Sequence, residues 1–125
     1  MNLIVKTIIF GIVMTAIDIP WIAFVMSKLY KNVFNIKMNV VAGALAYLCM
    51  IITYPFIISK FDTLKEQLTV GAVLGLITFG TYGFTLAAIY NKYPLRNAFA
   101  ETAWGITLYT LTTLATYYII KFFDA

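Results

Sequence analysis

Four apolar stretches, each long enough to cross a bilayer, leave this chain few ways to fold. They run from about Leu3 to Met26, Met38 to Ile58, Leu68 to Tyr90 and Ala98 to Phe123. A hydrocarbon core about 30 Å thick is crossed by about 20 apolar residues in a helix rising 1.5 Å each. Soluble domains carry roughly a quarter charged residues. Here 62% of residues are hydrophobic and 11% charged, and the 9 basic and 5 acidic side chains are too few to coat a soluble core. The expected fold is therefore all-α, a four-helix antiparallel transmembrane bundle forming one integral membrane domain over residues 1–125. The segments between the spans, residues 27–37, 59–67 and 91–97, are short enough to make consecutive helices antiparallel neighbours. The first stretch continues through Asp18, Pro20 and Trp21 without a small-x-small cleavage site, so it reads as a retained span and not a signal peptide.

Orientation is weakly encoded. An even number of spans puts both termini on one side with Lys6, Lys60, Lys65 and Lys121, against Lys28, Lys31, Lys37, Lys92 and Arg96 on the other. Five against four is nearly balanced, and the lysine-dense first loop tilts the positive-inside rule toward external termini. That loop also spaces Leu29, Val33 and Ile36 for a short helix in the head groups, or it is a plain solvated turn. The net charge of +4 is scattered singly, which argues against nucleic-acid binding and suits anionic lipid. The expected surroundings are a lipid bilayer, of a cell or of a virus or its host. A homo-oligomer or another membrane protein is an open partner.

Lipid tails are as apolar as Leu, so helices associate through close packing of small residues. The third span supplies these as Gly71-Ala-Val-Leu-Gly75, continued by Gly83 and Ala87 and interrupted by Phe79. Gly71, Gly75 and Gly83 are thus the helix-packing candidates, either inside the bundle or at a homodimer face. Ala42 and Ala46 make a weaker face in the second span. Pro20 and Pro55 each remove a backbone donor and should kink the first and second spans. The fourth span holds Thr102, Thr107, Thr110, Thr112, Thr113 and Thr116, which ordinarily return hydrogen bonds to the preceding turn.

Two carboxylates fall inside the apolar stretches, and both begin an acid-x-x-Trp pattern: Asp18-Ile-Pro-Trp21 and Glu101-Thr-Ala-Trp104. With four antiparallel spans both lie in one leaflet, Asp18 about 12 Å and Trp104 about 9 Å below the same surface. The helices run oppositely, so each acid is expected to face the other motif's indole. A charged carboxylate in hydrocarbon costs a few kcal/mol or more, which makes Asp18, Trp21, Glu101 and Trp104 the candidate intramembrane polar pairs. They serve either as structural glue or as a protonatable site.

Other chemistries lack their residues. There is no histidine and a single cysteine, Cys49, so the usual zinc, haem and catalytic-triad sites are not expected, nor is any metal or cofactor. Asp18, Glu101, tyrosines and threonines are a thin set for acid–base catalysis, so an enzyme is the minority reading and no catalytic residue is assigned. Tyr47, Tyr54, Tyr82 and Tyr109 lie within spans, where tyrosines also act as interfacial anchors.

Asp18-Ile-Pro-Trp21, Tyr30, Phe79-Gly-Thr-Tyr82, Thr85, Pro94-Leu95 and Glu101-Thr-Ala-Trp104-Gly105 together resemble the predicted membrane-protein family filed as domain of unknown function 2177. The resemblance implies four spans and supplies no activity. Where that family's pattern has Asp and Asn in the third helix, Gly83 and Leu86 stand here, and Glu101 replaces an Asp. Two readings of function remain: a structural or accessory membrane component, favoured because no residue pattern lines a pore, and a small carrier or channel using Asp18 and Glu101.

Overall fold

The structure, a computed structural model, describes residues 2–26, 28 and 40–124. Apart from Lys28, the first connection lies outside the described residues, and with it the candidate head-group helix through Leu29, Val33 and Ile36.

Four helical rods make up the described chain. Helix α1 spans Leu3–Trp21 and passes into a π-helical turn over Ile22–Met26. The second rod consists of α2, Val40–Ile51, then α3, Thr53–Phe56, and a 3₁₀ turn over Ile58–Lys60. Helix α4 covers Leu64–Ile89 and α5 covers Leu95–Asp124. Three rods are long and apolar enough to cross a membrane: Leu3–Val25, Val40–Lys60 and Leu64–Ile89. Helix α5 has the length, 30 residues, but its threonines and tyrosines lower its hydropathy below the others.

Local chemistry sets the helix ends. Asn2 caps α1, its side chain accepting from the Val5 N–H at 2.9 Å. Thr63 caps α4 by accepting from the Glu66 N–H at 3.2 Å, an arrangement that starts this helix four residues before the apolar run at Leu68. Pro94 precedes α5, whose first turn begins at Leu95 and not at Ala98. Both internal prolines disturb their helices. Pro20 has no N–H for the Ala16 carbonyl, and the turn that follows widens to the π form. Pro55 cannot donate to the Ile51 carbonyl, and the rod is interrupted at Ile52 between α2 and α3.

The most extensive packing joins α4 to α5, and it depends on glycine. A Cβ at Gly75 would overlap the Gly105 carbonyl and stand 2.8 Å from the Ile106 Cα. A Cβ at Gly71 would meet Thr113 Oγ1 at 2.9 Å, and one at Gly83 would meet the Ala98 Cα at 3.1 Å. Gly105 in turn faces the Phe79 side chain closely enough to exclude a Cβ of its own. All of Gly71, Gly75 and Gly83 are buried against α5, so a second copy cannot use that face without displacing α5.

Helix α1 packs on α5 and on the second rod, and Phe10, Met14, Tyr54, Ile58, Leu108 and Tyr109 form the core where they meet. Outside, the rods are bare of polar cover: Ile4, Phe24, Val40, Phe56 and Phe122 are each more than two-thirds exposed. Apolar surface distributed around every rod suits lipid and not water. Helix α2 buries no residue, and its Gly43 has nothing near the place a Cβ would occupy.

Gly75→Leu should therefore abolish the folded bundle, and Gly75→Ala should lower its thermal midpoint in detergent, because the obstructing atoms are backbone and cannot rotate away. Gly43→Leu should leave the midpoint unchanged. Equal midpoints for the Gly75→Ala and Gly43→Leu variants would remove this account of the α4–α5 contact.

Candidate functional site

The last α-helical turn of α1 carries both members of the first acid–Trp motif on one face, because residues three apart are neighbours on a helix. Asp18 is 6% exposed. Its Oδ1 accepts from the Trp104 Nε1–H at 2.7 Å, a bond from α5 across 86 residues of sequence. Its Oδ2 accepts from the Tyr47 hydroxyl on α2 in a short hydrogen bond. One carboxylate thus ties together the first, second and fourth rods. Its backbone takes part as well, since the Asp18 carbonyl accepts from the Ile22 N–H where the π turn begins.

The second half of the motif pairing is arranged differently. Trp21 lies flat on Trp104, the ring centroids 4.7 Å apart and the planes within 2°. In that stacked position its Nε1–H is buried and makes no hydrogen bond to the described residues, and the indole contributes by stacking and dispersion. Glu101 sits one turn before Trp104 and is 2% exposed, with Asn97 buried one turn earlier on the same face. The four expected residues are therefore brought to one end of the bundle. Only the Asp18 to Trp104 arm has the indole-to-carboxylate bond.

Tyr47 is the participant that sequence reasoning treated as an ordinary span tyrosine. A signal for it was present. Tyr47 stands seven residues after the start of its span at Val40, and Asp18 stands seven before the end of its span at Val25. Both are thus about 10 Å from the same end of the bundle. What depth alone cannot give is rotation about the helix axis, and that decides whether the hydroxyl faces the acid.

Two neutral donors on two carboxylate oxygens satisfy Asp18 without a cation, which suits an interior where an unpaired polar group is costly. Among the described residues, no group of three His, Cys, Asp or Glu side chains gathers as a metal site.

If the clamp holds the rods, Asp18→Asn should be tolerated, since the amide oxygen still accepts from Trp104 and the amide N–H can donate to Tyr47. Asp18→Leu leaves two buried donors without acceptors, and each should cost about 1–3 kcal/mol. Tyr47→Phe and Trp104→Phe should each destabilise less than Asp18→Leu and should lose their effect in its presence. Full additivity of Tyr47→Phe with Asp18→Leu in unfolding measurements would show that the hydroxyl and the acid are uncoupled.

Neither a curated protein nor a solved structure matches the chain significantly. The predicted membrane protein family DUF2177 matches residues 3–118, nearly the whole length. The match covers the acid–Trp motifs of α1 and α5, the glycine face of α4 and the clamp tyrosine of α2 alike, and the chain belongs to that family of predicted membrane proteins.

Proposed function

We propose that this membrane protein is a multi-pass structural or accessory component of its bilayer, built as four antiparallel spans with Asp18 as an internal fastener. The observation that carries this reading is the use of both Asp18 oxygens by Trp104 and Tyr47. A carboxylate held by donors from two other rods is occupied with holding them, whereas a proton carrier needs an acid that meets water in turn from each side. The antiparallel arrangement is supported by the falling register of α4 on α5, with Gly71 at Thr113, Gly75 at Gly105 and Gly83 at Ala98. Helix α5 crosses the membrane despite its lower hydropathy because its polar side chains face the bundle: Asn97, Glu101, Thr112, Thr113 and Thr116 are all buried. The oligomer or protein partner is the open term of this reading. Ala42, Gly43 and Ala46 on α2 are exposed small residues that allow another helix to approach.

That same inward polar face favours a second reading, a small carrier. It extends from Asn97 to Thr116, 19 residues or about 28 Å along the axis, close to the thickness of a hydrocarbon core. Against it, Phe79 lies on Gly105 and Leu108 is fully buried, so apolar groups divide the acid end of the face from the hydroxyl end.

Reporters fused at Lys31 and Asp62 should report opposite sides of the membrane. Proteoliposomes of the full chain should show no proton or cation flux above empty vesicles under an imposed gradient. Flux that disappears in both Asp18→Asn and Glu101→Gln, with the fold retained, would replace the structural reading by the carrier.

A further inference from the structure

Two groups of threonines in this protein differ in what their hydroxyls do. Thr7, Thr15, Thr69, Thr78, Thr102, Thr107 and Thr110 each donate to the carbonyl four residues earlier, at 2.7–2.9 Å. That bond is open to any threonine in a helix. Thr112, Thr113 and Thr116 do not make it. They are at most 1% exposed, and their hydroxyls have no hydrogen-bond partner among the described residues. The fully buried Tyr109 hydroxyl differs from these, since Thr53 and Thr78 of other helices lie beside it.

Thr116 stands four residues after Thr112 and three after Thr113 on one inward face of α5. Neighbours at such spacing stand about 5–6 Å apart at Cβ. Direct hydroxyl-to-hydroxyl bonds need about 2.8 Å. One small molecule with two donors and two acceptors matches the interval between them and the mixed character of every hydroxyl present. A cation fits poorly, because the residues are neutral and Glu101, the acid on the same helix, is eleven residues or about 16 Å from Thr112. Glycine at position 71 keeps the facing helix free of a side chain where Thr113 Oγ1 points.

We propose that this face of α5 binds ordered water inside the membrane-spanning bundle, with Thr112, Thr113 and Thr116 as its ligands. The site is separate from the Asp18 clamp and is required by neither reading of function. It places a hydrated, readily rearranged patch in the helix contact otherwise sealed by glycine. Buried polar groups left over after internal bonding are the usual ligands of such water.

Full-length protein with labelled threonine, reconstituted in phosphatidylcholine vesicles, tests this by water-edited solid-state NMR. The signals of Thr112, Thr113 and Thr116 should receive magnetisation from water faster than that of Thr107, which is exposed on the outside of the same helix. Transfer no faster than to Thr107 would overturn the proposal. Thr113→Val, nearly isosteric, should lower the thermal midpoint in detergent by about 4 °C or more, because bound water loses a ligand. An unchanged or raised midpoint would mean that the hydroxyl was bare and its removal a relief, and would also overturn it. A lowered midpoint without fast water transfer in the wild type would assign the hydroxyls to protein partners and defeat the proposal too. Since the NMR comparison uses the wild-type chain, failure of the variant to fold does not remove the test.

Discussion

Backbone contact between α4 and α5 is the constraint on which the rest of the bundle depends. In water, helices are driven together by burying apolar faces, but in lipid an apolar face is already solvated. Attraction must then come from dispersion at short range, which falls off steeply with any gap. Gly75 opposite the Gly105 carbonyl brings the two helices close enough for that attraction to accumulate along their length. The result is a paired scaffold, and α1 and the second rod are laid against it.

Those two rods need a different kind of bond. Helix α2 buries no side chain and has no glycine seam, so its attachment near one end relies on the Tyr47 hydroxyl reaching Asp18. The same acid takes the Trp104 N–H from the scaffold, while Trp21 stacks on the Trp104 ring. A hydrogen bond that is worth little in water is favoured here because no solvent competes for its donors. The π turn after Pro20 adjoins this point, so the local irregularity of α1 coincides with its strongest polar contact.

Helix α5 inverts the usual arrangement of a surface helix. Most of its buried side chains are polar, whereas Leu111, Phe122 and Phe123 look outward. That inversion explains why the helix is the least apolar of the four rods and yet belongs among them. Gly83 of α4 is buried against Ala98, where a carboxylate side chain would not fit.

The amino-acid sequence by itself determined the class of solvent and the number of helices, because both follow from composition and spacing along one chain; it marked Gly71, Gly75 and Gly83 but not Gly105, their counterpart on α5. The start of α4 was not legible from the apolar run, because Thr63 and Glu66 cap the helix four residues before Leu68. Spacing also placed Asp18, Trp21, Glu101 and Trp104 at one depth. Only the tertiary structure decided which donors meet which acceptors, since that depends on how far each helix is turned about its own axis. Trp104 was turned to Asp18, Trp21 was turned onto the ring of Trp104, and Tyr47 was added from a helix whose sequence carries no motif. Rotation is set by the closest backbone contacts, here Gly75 on Gly105, and such contacts join residues that are far apart in the chain.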